Sequence, residues 1–273
     1  MESYNIVINE SYEHLRPLIA AIVKGQRPAD AADIYRGRNT LYRTQLDGVD
    51  AVVKDFKTPN LLNRWVYTNL RQSKARRSYE NAMKMMAAGF LSPEPIAYGE
   101  HKVNSQLRHS YYISRNLVGA TEMRHWKNFG CIDTLLPAFA AEMLRLHKAG
   151  IYHRDFSPGN ILFTGDAEHG YRFHYVDLNR INFDVHNPRI LNRMFRAIQW
   201  PDLDETRHLA RLYADAAGKD PQAMEAIATD EYNGYKRSLE FRTAACHSHG
   251  VYAFPYREYR FSPSHVPPSM WKY

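Results

Sequence analysis

The chain has 273 residues, 44% hydrophobic and 13% aromatic, a composition that argues against disorder and fits one large domain or two small lobes. A formal net charge of +7 favours an anionic partner such as phosphates, nucleic acid or an acidic membrane surface. Two cysteines, Cys131 and Cys246, argue against a disulfide framework. With no signal peptide or spanning segment in the sequence, the protein is expected in the reducing cytoplasm.

An antiparallel sheet of five strands with one helix is predicted in the first part of the chain. Asp47-Gly48 indicates a tight hairpin, because this pair supplies the two positive φ angles that such a turn requires. Asn104-Ser105 indicates a second turn between strands. The expected segments are a strand at 3–8, a helix at 11–24, a strand meander over 33–57, a helix at 73–88, and strands at 96–103 and 107–117.

Lys54 lies on the second strand of the predicted hairpin. A lysine on an apolar strand is usually an edge or surface residue, but with an H-R-D-x-x-x-x-N motif downstream Lys54 is predicted to reach the α- and β-phosphates of a nucleotide. Glu80 is expected in the middle of the helix at 73–88. If Lys54 binds a nucleotide, Glu80 is the predicted ion-pair partner that presents it.

A phosphate-binding loop is predicted just before the hairpin, although it is poor in glycine. Protein-kinase loops carry several glycines there, so that backbone amides approach the phosphates. This chain has one. The predicted nucleotide contacts are Gly37, Arg38, Asn39 and Thr40.

The segment from Phe56 to Ser78 is basic and contains no acidic residue. Leu61, Leu62, Trp65 and Val66 are interleaved with its charges at helical spacing. Such a segment can lie on an anionic membrane. It is equally compatible with a helix that packs its apolar side on the sheet and keeps its charges in water.

The stretch from His153 to Phe163 carries the chemistry. Its H-R-D-x-x-x-x-N spacing supplies Asp155 and Asn160, and a second carboxylate, Asp177, ends a predicted hairpin. In phosphoryl transfer an aspartate positions and deprotonates the attacking hydroxyl, while an asparagine and a second aspartate hold the metal ions. The pattern therefore predicts Asp155 as the catalytic residue and Asn160 and Asp177 as the ligands of Mg²⁺.

Five polar residues occur in the order of the protein-kinase-like fold: Lys54, Glu80, Asp155, Asn160 and Asp177. The chain resembles that superfamily. More narrowly it resembles the Kdo/WaaP lipopolysaccharide kinase family. The motifs that carry the narrower resemblance are Arg36-Gly37-Arg38-Asn39-Thr40, Lys74-Ala75-Arg76-Arg77-Ser78-Tyr79-Glu80, Gly89-Phe90-Leu91-Ser92-Pro93-Glu94-Pro95, His153-Arg154-Asp155 and Asp177-Leu178-Asn179-Arg180.

The resemblance implies an α+β, two-lobed fold: residues 1–117 form a lobe of sheet plus helix, and residues 118–273 a mostly helical lobe with the catalytic loop and an aromatic tail. Residues 116–119 would connect the lobes and bind adenine. It also implies ATP and Mg²⁺ as cofactors, and transfer of the γ-phosphoryl group to a sugar hydroxyl of the lipopolysaccharide inner core, on Kdo or heptose. A glycolipid acceptor and an anionic membrane surface at the inner membrane face are the expected partners, with no nucleic acid and no protein partner.

Two alternatives remain open from the sequence. Ser157-Pro158-Gly159-Asn160 resembles soluble small-molecule phosphotransferases of the aminoglycoside and choline type, although those usually have Gly where this chain has Arg154. The second alternative is a protein without catalytic activity, either a kinase-like scaffold or a basic nucleic-acid-binding protein. The charges beside Asp155 should discriminate between acceptors, because an acidic pocket would suit a cationic one.

Overall fold

A computed structural model describes residues 1–37, 39–56, 72–129, 132–198 and 202–248. Three predicted features lie outside these residues: Arg38, most of the basic segment between Phe56 and Ser78, and the aromatic tail.

A six-stranded antiparallel sheet forms the first lobe, in the spatial order β1-β5-β6-β4-β3-β2. The sheet has six strands where five were predicted, because the meander over 33–57 contains three strands; the expected strand at 3–8 is β1, which pairs with β5 along its whole length. Its side chains are mostly exposed, which explains the weak alternation in its sequence. The strands are β1 (Glu2–Ile8), β2 (Ala32–Arg36), β3 (Asn39–Leu46), β4 (Val49–Phe56), β5 (Pro95–Val103) and β6 (Gln106–Arg115).

Both predicted turns are confirmed by the backbone. Asp47 and Gly48 have φ angles of 49° and 80°, and the β3–β4 register runs without a shift from Leu46↔Val49 outward. Asn104 and Ser105 have φ angles of 49° and 63°. Because these turns fix the register, Lys54 projects from the same face of β4 as Val52.

One helix covers each face of the sheet. On one face, α1 (Arg16–Val23) buries Ile19, Ile22 and Val23; the predicted helix at 11–24 is here a 3₁₀ turn, Glu10–Leu15, followed by α1. On the other face lies α2 (Lys74–Ala87), capped by Ser73, whose hydroxyl accepts from the amide of Arg76 at 3.1 Å. The predicted helix at 73–88 is therefore confirmed.

The second lobe is mostly helical and carries two small sheets beside the site. Its strands are β7 (Thr121–Glu122), β8 (Tyr152–His153), β9 (Ile161–Asp166), β10 (Gly170–Tyr175) and β11 (Ile181–Asn182). Its helices are α3 (Ile132–Lys148), α4 (Pro188–Leu191), α5 (Arg193–Ala197), α6 (Leu203–Ala217) and α7 (Pro221–Ser248).

The two-lobed α+β architecture is thus as predicted, and the boundary at residue 117 stays a prediction. In the described part of the chain, none of the helices has the length and apolar character needed to cross a membrane.

Candidate active site

Lys54 and Asp177 meet in the cleft between the sheet and the helical lobe. The ammonium of Lys54 lies 2.5 Å from Oδ1 of Asp177, although 123 residues separate them in the chain. The two side chains are only 16% and 27% exposed. The structure therefore brings together the predicted phosphate-binding lysine and one of the two predicted metal ligands.

The backbone of Asp177 is left-handed, with φ 55° and ψ 45°, a conformation that aspartate tolerates better than most residues. Asn179 donates to its Oδ1 at 2.6 Å. Burial opposes ionisation of this carboxyl, but the charge and hydrogen bond of Lys54, with smaller contributions from His153 and Asn179, lower its pKa below the usual value. Asp177 is therefore held as a carboxylate.

The catalytic loop is anchored by two buried rings. His153 is buried, accepts the amide of Asp155 at Nδ1 (3.2 Å), and contacts the carbonyl of Val176 through Nε2 (3.2 Å). Phe156 is buried between Phe139 and Tyr175, whose ring centroids lie 5.8 and 6.2 Å away.

The carboxylate of Asp155 projects from this anchored backbone. None of the described side chains forms an ion pair or hydrogen bond with it. A half-buried carboxylate without a fixed partner is able to accept a proton from a substrate hydroxyl.

Asn160 links the catalytic loop to the strand that precedes Asp177. Its Nδ2 donates to the carbonyl of Asp155 at 2.9 Å, and its own carbonyl accepts from the amide of Val176 at 3.0 Å. This leaves its side-chain oxygen as an acceptor, and Asn160 and Asp177 line the same cavity. Carboxylate and carboxamide oxygens are hard ligands of the kind Mg²⁺ uses, and it commonly takes only one or two protein ligands beside phosphates and water. The donor set therefore fits the ion.

Glu80 requires a correction. The expected ion pair with Lys54 is not formed: Glu80 pairs with Arg76, one helical turn earlier, at 2.7 Å, while Lys54 pairs with Asp177. Instead, α2 is tied to the segment after Asp177 by two other side chains. Arg77 donates to the carbonyl of Asn179 and Asn81 to that of Leu178, each at 2.7 Å.

A cavity of about 290 Å³ lies between the lobes and is lined by Lys54, Asn160 and Asp177, whereas Asp155 and Glu80 are not among its lining residues. Its apolar walls are formed by residues from both lobes: Leu41, Val52, Leu117, Leu162 and Val176. Such a cavity, with both apolar and charged walls, is suited to an aromatic base with attached phosphates.

The segment between the lobes closes one side of the cavity. Asn116 and Leu117 line it. The amide and the side-chain Nδ2 of Asn116 both donate to Asp50, at 2.8 and 2.9 Å, which fixes the start of this segment to β4. Binding of adenine by residues 116–119 stays a prediction.

Three of the four predicted phosphate-loop residues are described, and they lie at the β2–β3 turn. The amide of Gly37 donates to the carbonyl of Asn39 at 3.1 Å, and Thr40 pairs with Arg36. A Cβ at Gly37 would lie 2.2 Å from the Tyr35 hydroxyl, the far end of a side chain that would have to move. Gly37, Asn39 and Thr40 do not line the cavity. Their contact with phosphates stays a prediction.

Two further charged residues that line the cavity, Arg115 and Glu122, were missed from the sequence. Glu122 forms an ion pair with Arg124, which is not among the lining residues. The guanidinium of Arg124 lies across Gly159, where an added Cβ would come within 1.6 Å of its Nη2. The glycine in the Ser157–Asn160 turn is the sequence signal for this approach, but a glycine at that place is just as typical of an ordinary turn.

Comparison with known proteins decides the family. The lipopolysaccharide kinase (Kdo/WaaP) family matches residues 35–214, which include all five predicted polar residues. The chain belongs to the lipopolysaccharide kinase (Kdo/WaaP) family. It is therefore a phosphotransferase of the kinase class, and a lipopolysaccharide kinase. No curated protein matches the sequence.

Solved structures are similar in fold to this family member. One described as WaaP in complex with acyl carrier protein has a TM-score of 0.59 at 19% identity, covering 86% of this chain and 98% of the other. WbdD with the kinase inhibitor LY294002 has a TM-score of 0.40 at 18% identity, covering 73% of this chain and 44% of the other. The first similarity supports the two-lobed fold, and the second is too low to support an argument.

Proposed function

We propose that this lipopolysaccharide kinase transfers the γ-phosphoryl group of ATP to a hydroxyl of Kdo or heptose in the inner core. The observation that carries the proposal is the meeting of Lys54, Asp177 and Asn160 in one cavity, with Asn160 bonded to the backbone of Asp155. Residues from both halves of the chain thus line one cavity.

The chain's own residues have separate roles in this mechanism. The adenine ring enters the apolar part of the cavity, and Lys54 binds the α- and β-phosphates. Asp155 accepts the proton of the attacking hydroxyl and orients its oxygen toward the γ-phosphorus. General base catalysis of this kind contributes roughly 10²–10⁴ in rate.

Mg²⁺, when bound, neutralises the charge that develops on the phosphates. Asn160 and Asp177 are the residues that would hold it. Lys54 and Asp177 pair with each other at 2.5 Å; with a nucleotide bound, Lys54 would contact phosphate and Asp177 the metal.

The test incubates the enzyme with labelled ATP and a panel of acceptors. The panel contains a core-truncated glycolipid ending in Kdo, a heptose-extended form, free sugars and an aminoglycoside. Mass spectrometry should locate the added phosphate on Kdo or heptose. Asp155→Ala should bind ATP but lose transfer by two or more orders of magnitude. Efficient phosphorylation of the aminoglycoside alone would instead support the small-molecule alternative.

Membrane proximity and a protein partner complete the proposal. The enzyme would work at the cytoplasmic face of the inner membrane, where a net charge of +7 favours anionic lipid. The fold relative WaaP was solved with acyl carrier protein, in contrast to our sequence prediction of no protein partner. We therefore include an acyl carrier protein as a candidate partner, to be tested by co-elution with the full chain in size-exclusion chromatography.

A further inference from the structure

Four arginines lie near the catalytic loop on the side of the helical lobe, and we call them the arginine cluster: Arg154, Arg180, Arg193 and Arg196. Arg154, Arg180 and Arg193 are exposed, and Arg196 is half-buried. None of the four forms an ion pair with any carboxylate in residues 1–37, 39–56, 72–129, 132–198 or 202–248. By contrast, Arg16, Arg43, Arg76 and Arg211 each have an acidic partner.

The backbone fixes two members of the cluster beside Asp155. The amide of Arg154 donates to the carbonyl of Arg180 at 3.1 Å, at the end of the short β8–β11 ladder in which His153 pairs with Ile181. Arg154 immediately precedes Asp155 in the chain. The side chains of Arg154 and Arg180 therefore originate one residue from the catalytic carboxylate and three residues from Asp177.

Helix α5 brings the other two members to the same strand. Tyr152, next but one to Arg154, packs on the core that contains Met194 and Phe195 of α5, and these two residues lie between Arg193 and Arg196. Burial raises the pKa of Tyr152, and the positive charges of Arg193, Arg154 and Arg196 oppose that rise. Glu231 is the acidic side chain that acts in the other direction on the same hydroxyl.

We propose that the arginine cluster is a binding site for an acidic group, phosphate or carboxylate, on the acceptor glycolipid. Arginines without an acidic partner among the described residues, on the segments that carry Asp155 and Asp177 and on α5, would hold the anion while a neighbouring hydroxyl faces Asp155. Guanidinium groups bind such oxyanions through paired, charge-assisted hydrogen bonds. The inference rests on the proposed function, because it requires that the acceptor bind beside Asp155.

Such a site would disfavour a cationic acceptor. An aminoglycoside or choline-like amine would place positive charge next to several arginines that have no acidic partner among the described residues, and like charges at short range oppose binding. This is the charge pattern that the sequence left open, and it favours the glycolipid over the small-molecule alternative.

The experiment measures acceptor KM and kcat with Kdo₂–lipid A, and again with the same molecule after its lipid A phosphates are removed. Arg193→Gln and Arg180→Gln should each raise the acceptor KM about tenfold, with ATP KM and kcat near wild type. Arg193→Lys should retain most of the affinity. The matched control is Arg172→Gln, because Arg172 is exposed on β10, opposite Thr164 and thus four residues along the hairpin from Asn160.

The two acceptors identify the acidic group. If the variants raise KM equally for both molecules, the cluster binds a carboxylate; if the effect disappears with the dephosphorylated acceptor, it binds a phosphate. Either result supports the proposal. Unchanged acceptor KM in both glutamine variants would overturn it, as would variants that lose only co-elution with acyl carrier protein.

Calorimetry of Kdo₂–lipid A micelle binding tests the arginine cluster independently of the proposed kinase activity. Weaker micelle binding by Arg193→Gln than by Arg172→Gln supports the cluster even if the wild type transfers no phosphate. Equal micelle binding by the two variants refutes the cluster even if the wild type is active. Thermal melting of each variant should match the wild type, because these side chains make no described ion pair.

Discussion

Lys54 and Glu80 have different ion-pair partners. This leads to the quantitative prediction that turnover and stability depend on Lys54 far more than on Glu80. Lys54→Met removes the ammonium while keeping an unbranched side chain, and leaves Asp177 as a largely buried carboxylate bonded only to Asn179 among its described neighbours. Glu80→Gln removes a carboxylate whose described partner is Arg76, four residues away on the same helix.

The expected magnitudes differ because burial differs. At 2.5 Å, the charges of Lys54 and Asp177 attract by roughly 7 kcal/mol at an effective dielectric constant of about 20, before desolvation is subtracted. Breaking such a pair from one side costs about 3 kcal/mol of unfolding free energy. Glu80 and Arg76 are 34% and 41% exposed, and an exposed helical pair of this spacing is worth about 0.3–0.5 kcal/mol.

The assay compares urea unfolding and steady-state kinetics for the two variants. Lys54→Met should lower kcat by two or more orders of magnitude and destabilise the fold by about 3 kcal/mol. Glu80→Gln should change stability by less than about 1 kcal/mol and kcat by less than about threefold, because Arg77 and Asn81 hold α2. A loss of kcat in Glu80→Gln equal to that in Lys54→Met would refute this reasoning and show that Glu80 presents Lys54 during turnover.

Three further predictions follow from the loop and its supports. Gly159→Ala should displace the Arg124 guanidinium and lower activity several-fold, and activity should recover in the double variant Gly159→Ala/Arg124→Ala, as kinetic assays would show. Because the pKa of Asp177 is lowered in the folded state, its stabilisation is present above about pH 4 and is lost as pH falls through the folded pKa. Acid titration of unfolding should therefore be flatter for Asp177→Asn, and an unchanged slope would contradict the assigned pKa. Phe156→Ala should lose about 3–5 kcal/mol in urea unfolding, since its ring is fully buried; a loss below about 1 kcal/mol would contradict that packing.

Local signals in the sequence predicted local structure well. Asp47-Gly48 and Asn104-Ser105 adopt the positive φ angles that their residue types favour, and Ser73 caps the predicted helix. Asn160 and Asp177, singled out from the sequence, line the cavity; the catalytic role of Asp155, which is not among the lining residues, stays a prediction. These outcomes depend on neighbours within a few residues, which a sequence displays directly.

Contacts between distant segments were not predictable from pattern. The pairing of β1 with β5 joins segments about 95 residues apart, and exposed edge strands alternate too weakly to indicate a partner. The ion-pair partner of Lys54 was wrong for a similar reason. Glu80 was the expected partner and Asp177 was expected only to bind the metal, whereas in the fold Arg76 pairs with Glu80 and Asp177 pairs with Lys54.

We propose that Asp155 accepts the proton of a sugar hydroxyl of the lipopolysaccharide core while the phosphoryl group is transferred to it from ATP. The most direct measurement is a single turnover: enzyme in excess over γ-labelled ATP is mixed with core-truncated glycolipid, and the labelled sugar is identified by mass spectrometry. We expect the label to appear on Kdo or heptose with the wild type. The Asp155→Ala variant should bind ATP without transferring its phosphoryl group. Label on the sugar at an undiminished rate in Asp155→Ala would contradict the proposal.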